Sequence, residues 1–187
     1  MRERTLSDVV ANISSAWPVL LLTGPRQAGK SSLLNMLKEK TRKYVSLDDI
    51  AVRDLALSDP RAFLQKYEPP VVIDEVQYAP NLFSYIKIWV DEHRYERLID
   101  DKKNADPAGA FWLTGSQKFS LMKGVQESLA GRVAIIDLLG FSRKEIIGKA
   151  KESKPFWPDE VDMRKETPPA RSWKFIRIYG TARSPNL

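Results

Sequence analysis

Apolar positions along the chain follow two rhythms. Leu6, Val9, Val10 and Ile13 recur at helical spacing, so residues 5–16 read as a short amphipathic helix that Pro18 ends. Val19 to Thr23 is instead an unbroken apolar run, as a strand covered on both faces of a parallel sheet requires. A Gly-rich turn follows, and from Lys30 to Lys40 the helical period returns with Leu33, Leu34 and Leu37. Tyr44 to Leu47 reads as a second strand, closed by Asp48 and Asp49, either of which can cap the next helix. Asp59-Pro60 is another helix start, with an N-cap acid and proline at the first helical position.

Pro69-Pro70 stops that stretch, and Val71 to Ile73 is a third strand ending in Asp74-Glu75. Asn81 to Asp100 is a long amphipathic helix with Leu82, Ile86, Trp89, Val90 and Arg97 in period. Polar residues 100–109 form a loop, Phe111 to Thr114 a fourth strand, and a helix through Leu121 and Val125 leads to a fifth strand, Val133 to Leu139. Ser142 with Glu145 is a capping box opening a further helix. Strands and helices that alternate over short connections predict an α/β fold: a three-layer sandwich around a five-stranded parallel sheet. Residues 1–150 make that domain. Residues 151–187, charged and Pro-rich, make a linker and an irregular tail.

Composition narrows the chemistry by exclusion. The 187 residues hold no cysteine and a single histidine, His93, so thiolate and His-rich metal sites are ruled out. His93 reads as a surface or boundary residue of the long helix; Trp89, Phe111 and Trp112 read as core. A net charge of +6 is compatible with an acidic partner, but no basic block interleaved with aromatics supports a nucleic-acid partner. The charged start is no signal peptide and no apolar run approaches the roughly 20 residues of a membrane span, which makes the cytoplasm the expected compartment and a membrane partner unexpected.

The strongest chemical signal is Gly24-Pro25-Arg26-Gln27-Ala28-Gly29-Lys30-Ser31, which fits G-x-x-x-x-G-K-[ST] between an apolar strand and a helix. Glycines let the backbone wrap a phosphate so that several N–H groups converge on it, and the helix N-terminus favours the same anion. Gly24 through Ser31, with Ser32 after them, are therefore the expected ATP-binding residues; Lys30 reaches the β- and γ-phosphates and the Ser31 hydroxyl ligates Mg²⁺. Arg26 either touches phosphate or is solvated. Val71-Val72-Ile73-Asp74-Glu75 places two carboxylates at the C-terminal end of a strand, with Asp74 expected to hold Mg²⁺ through water and Glu75 to polarise the attacking water. Ser116 or Gln117, after the fourth strand, would sense the γ-phosphate or orient that water. Arg132 would stabilise transition-state charge, in cis or from a neighbouring subunit, or else is a surface residue before a strand.

Five stretches in this order, LTGPRQAGKSSLL, YVSLDD, VVIDEVQYAPNLF, FWLTGSQ and SLAGRVAIIDLLGFSRKEI, make residues 5–148 resemble the AAA-type ATP-binding proteins of bacteria and archaea. The resemblance implies that Gly24 to Ser31 is a Walker A loop, that Asp74 and Glu75 are Walker B, and that Ser116 or Gln117 is a sensor. It also implies that the sensor strand lies between the P-loop strand and the carboxylate strand. Members of that family continue into a C-terminal domain of uncharacterised function, whereas this chain stops at Leu187. Trp173 is encoded TGG and the Lys174 codon begins AA, so a frame two bases later opens on Glu and permits the Tyr, Leu-Trp, Asn-Gly and Pro-Glu series that resembles the missing domain's start. A frameshift near Ser172 and a truncated tail are thus expected, and the gene's nucleotides decide it.

The expected activity is Mg-dependent hydrolysis of the ATP γ-phosphate. The alternatives are a nucleotide-binding switch or interaction module with little turnover and, more weakly, a small-molecule kinase. A protein partner of unknown identity and an oligomeric state go with either of the first two; DNA binding would rest on analogy to relatives alone.

Overall fold

β1 (Val19–Thr23), β3 (Val71–Asp74) and β4 (Phe111–Thr114) are buried at every position, and β5 (Val133–Asp137) at all but its last. The computed structural model describes residues 3–99, 107–116 and 119–152, with the backbone of Ile176 and Arg177. With β2 (Lys43–Ser46) these strands form a parallel sheet in the order β2-β3-β4-β1-β5. The unbroken apolar runs are explained by this: interior strands of a parallel sheet are covered on both sides. β2, at the edge, exposes Lys43 and Tyr44 instead. β4 lies between β1 and β3, as the resemblance implied.

Alternate residues of each strand feed two cores. Val19 and Leu21, with Val71, Ile73, Phe111, Leu113, Val133 and Ile135, face α3 (Ile50–Ser58), α4 (Pro60–Lys66), α5 (Leu82–Ile99) and α6 (Phe119–Leu129). Leu20 and Leu22, with Val72, Trp112, Ala134 and Ile136, face α1 (Ser7–Ser14) and α2 (Lys30–Leu37). Fully buried side chains such as Phe63, Phe83 and Leu34 each contribute about 1.5–3 kcal/mol over their exposed state, which fixes both helical layers on the sheet.

Helix starts follow the expected caps. Asp49, not Asp48, caps α3, accepting the N–H groups of Ala51 and Val52. Asp59 caps α4 ahead of Pro60, and Ser142 with Glu145 forms the capping box of α7 (Arg143–Ile146). β2 lies one residue earlier than expected, and α2 ends at Leu37 because Lys38 is extended. Two residues of the tail depart from the irregular reading: β6 (Ile176–Arg177) pairs antiparallel with β5, whose outer edge the parallel sheet leaves open. Ala150–Glu152 is a turn of 3-10 helix. The remainder of the linker, and the segment of the expected frameshift at Ser172 to Lys174, lie outside the described residues. Among the described residues no helix is long and apolar enough to cross a membrane.

Candidate active site

A parallel sheet brings all its strand ends to one edge, and here each strand delivers a polar residue there. Across the sheet these are Ser46, Asp74, Thr114, Thr23 and Asp137. The loop from Gly24 to Gly29 rises from the middle of this row. Gly24 has φ +140°, and a Cβ there would stand 2.1 Å from the Leu138 carbonyl oxygen, so only glycine lets the loop leave β1 against the end of β5. Gly29, at φ +88°, turns the chain into α2 as its N-cap. Pro25, Arg26, Gln27 and Ser32 are exposed, while Ala28 and Lys30 are buried.

The Lys30 ammonium folds back onto its own loop, donating to the carbonyls of Gly24 at 3.0 Å and Pro25 at 2.9 Å. Beside it the Ser31 hydroxyl donates to Asp74 Oδ1 at 2.9 Å. Asp74 is 5% exposed and accepts two further hydroxyls, Thr114 on Oδ1 and Tyr44 on Oδ2 at 2.6 Å. Burial, and then the bond to Asp74, push the Tyr44 phenol well above its usual range, so it remains a donor. Thr114 also accepts the Glu75 N–H at 3.2 Å, which ties both acids to the tip of β4. Glu75 adopts a left-handed backbone, φ +57°, and the Gln77 side-chain amide donates to its carboxylate. Ser116 Oγ and Gln77 Oε1 are buried with no hydrogen-bond partner among the described residues.

The structure therefore gathers Gly24 to Ser31, Asp74 and Glu75, with Ser116 after β4 at the same edge. Gln117 lies outside the described residues. Arg132 is a correction in cis: it precedes β5 and sits at the N-terminal edge, a strand length of roughly 16 Å from the loop. There it is closed on Asp91 by two bonds, Nε to Oδ1 at 2.6 Å and Nη2 to Oδ2 at 2.8 Å. His93 stacks on Trp89 and lies within 2.8 Å of the Trp89 carbonyl, a boundary residue as expected. Tyr44, Thr114 and Gln77 were not anticipated. Thr114 had a signal, since the last residue of a strand next to a carboxylate strand must meet that carboxylate. Tyr44 had none beyond its strand.

Residues of this kind fit a magnesium polyphosphate. Among the described residues, a buried lysine bonded only to carbonyls, a buried carboxylate bonded only to hydroxyls, and a Ser116 hydroxyl with no partner leave unfilled capacity for both charges. No cluster of three or more His, Cys, Asp or Glu occurs among the described residues. Magnesium needs none, since it takes one carboxylate and a hydroxyl alongside waters and phosphate oxygens.

A family model described as an AAA domain matches residues 16–147, well over half of the chain. Two curated relatives, the uncharacterized proteins Mb2031c of Mycobacterium bovis and Rv2008c of Mycobacterium tuberculosis, are each 32% identical over 135 residues, 72% of this chain. The match spans 28% of the length of each relative. Among solved structures, the Walker-type ATPase PABY2304 of Pyrococcus abyssi is similar over 78% of this chain and 55% of its own, at 19% identity and a TM-score of 0.49.

Proposed function

The chain belongs to the AAA-domain family, and on that premise we propose that it binds Mg-ATP on the Gly24–Ser31 loop and hydrolyses the γ-phosphate. One observation carries the reading: the Ser31 hydroxyl stands 2.9 Å from the Asp74 carboxylate, and the residue before Ser31 is the buried Lys30. Two acid–alcohol partners that far apart in sequence meet at one point where a divalent cation would be shared.

On ATP binding, Lys30 exchanges the Gly24 and Pro25 carbonyls for the β- and γ-phosphate oxygens, and the loop amides take the rest of the β-phosphate. Magnesium, when bound, would neutralise the charge that develops on the phosphate oxygens, and Ser31 and Asp74 are the residues that would hold it. Glu75 accepts a hydrogen bond from the attacking water and aligns it with the γ-phosphorus; as the water oxygen bonds to that phosphorus the bond to the bridging oxygen breaks, the water's proton passes to the carboxylate and on to solvent, and ADP and inorganic phosphate leave. Thr114 and Gln77 hold Glu75 by its backbone and its carboxylate, and the Ser116 hydroxyl, unpartnered among the described residues, donates to the γ-phosphate in this reading.

The Gln77 amide on the Glu75 carboxylate favours a second reading, a nucleotide switch with little turnover, because the general base is already occupied. A phosphate-release assay on wild type and Glu75→Gln separates the two. Hydrolysis predicts a rate lower by about 100-fold or more in the variant with ATP affinity retained. Equal rates would favour the switch.

A further inference from the structure

Arg4 belongs to no motif, yet it is only 6% exposed and each of its three guanidinium nitrogens donates a hydrogen bond. Nη1 donates to the Ala28 carbonyl at 2.9 Å, Nη2 to the Leu139 carbonyl at 2.7 Å, and Nε to Glu145 Oε1 at 3.2 Å. The Phe141 ring covers it, 4.2 Å from the guanidinium carbon to the centroid. Glu145, the capping-box acid, accepts the Thr5 N–H at 2.8 Å and the Ser142 N–H at 2.6 Å as well. One arginine thus ties the N-terminal segment, the phosphate loop and the corner after β5 together.

We propose that Arg4 is a positioning residue for the phosphate cradle, aiming the Gly29 N–H into the loop by holding the Ala28 carbonyl outside it. The inference rests on the reading that this loop holds a polyphosphate. The carbonyl and the N–H of one trans peptide unit point to opposite sides of the chain. Fixing the Ala28 oxygen on Arg4 therefore directs the next N–H the other way, toward the inside of the loop. Gly29, at φ +88° and without a Cβ, offers little resistance to rotation of that peptide unit. A flip would turn an oxygen toward the phosphate, replacing an attraction by a repulsion. Glu145 makes the arrangement tolerable, since a buried guanidinium without its carboxylate would be costly. Lysine cannot replace this fork, because a single ammonium does not reach three acceptors in one plane.

The test measures Mg-ATP affinity by calorimetry, steady-state turnover and the thermal midpoint for wild type, Arg4→Lys and Glu145→Gln. Arg4→Lys should weaken Mg-ATP about tenfold, appearing mainly in KM, because the lost amide contact serves bound substrate and transition state alike. Glu145→Gln should lower the midpoint yet hold affinity within about twofold, because its amide oxygen still accepts from Arg4. Arg4→Lys binding like a wild type that itself binds Mg-ATP overturns the proposal. So does a loss of affinity that tracks the loss of stability equally in both variants. A wild type that fails to bind Mg-ATP overturns the nucleotide reading and this proposal with it. A second measurement needs no Arg4 variant: titrating Mg-ATP into ¹⁵N-labelled wild type should move the Gly29 amide proton downfield, and an unmoved Gly29 resonance with other loop amides shifting overturns the proposal.

Discussion

At the N-terminal edge of the sheet, Arg132 is closed on Asp91, and Arg42 is held by Glu39 at 2.7 Å, by the Gly109 carbonyl at 2.6 Å and by the face of Trp112. At the C-terminal edge, Lys30 and Asp74 are as buried as Arg42, but among the described residues neither has an oppositely charged partner. The first pattern is a finished structure: each cation has its anion, and further ligand would have to displace one. The second is charge held in readiness by neutral groups that can exchange cheaply. A cleft of 670 Å³ opens at the N-terminal edge beside Pro18, Arg94 and Leu98, where burial and the neighbouring Arg132 already press the Arg94 guanidinium below its usual range. Unsatisfied charge, not volume, marks the edge where chemistry is expected.

The contrast can be broken most sharply at Asp74. Asp74→Asn should lower Mg-ATP affinity and turnover by about 100-fold or more if the acid holds the metal as proposed. The nucleotide-free protein should melt no lower than wild type, because the substitution removes a buried charge that lacks a counter-ion. A melting drop with normal turnover would make Asp74 structural. Arg132→Met should do the converse at the other edge. Its pair with Asp91 is partly exposed, so stability should fall by about 1 kcal/mol or less while turnover stays within about twofold. A larger loss of turnover would return Arg132 to the catalytic set through a neighbouring subunit. The smallest effect is expected at Glu39. The hydrogen bond from Arg42 holds its carboxyl below the ordinary value, against an opposing effect of burial. A depressed carboxyl contributes stability above its unfolded pKa, about 4.3, and loses it as pH falls through the folded value. The thermal midpoint of wild type should therefore decline slightly more steeply below about pH 5 than that of Glu39→Gln, and parallel curves would show that the pair carries no linkage.

Most of the fold was legible because parallel strands advertise themselves as unbroken apolar runs and helices by their period. The loop was legible because its glycines, lysine and serine fall at fixed spacing within eight residues, Gly24 to Ser31. What escaped depends on register. Tyr44 reaches Asp74 only because β2 flanks β3 at that level, which no periodicity within a strand states, whereas Thr114 could have been found from the implied position of β4 beside β3. Of the alternatives open for Arg132, its position before a parallel strand removes the one in cis, since such a residue lies at the opposite edge from residues just after a strand. Arg4 sat in a charged N-terminal stretch that composition describes as solvated, and only its packing against Ala28, Leu139 and Glu145 reveals it as interior.

The account stands most directly on Lys30. Calorimetric titration of Mg-ATP into wild type and Lys30→Met should show binding in the first and affinity lower by at least about tenfold in the second, with both proteins folded to the same midpoint within a few degrees. Equal affinity in the two proteins would contradict the claim that this lysine and Asp74 share one polyphosphate.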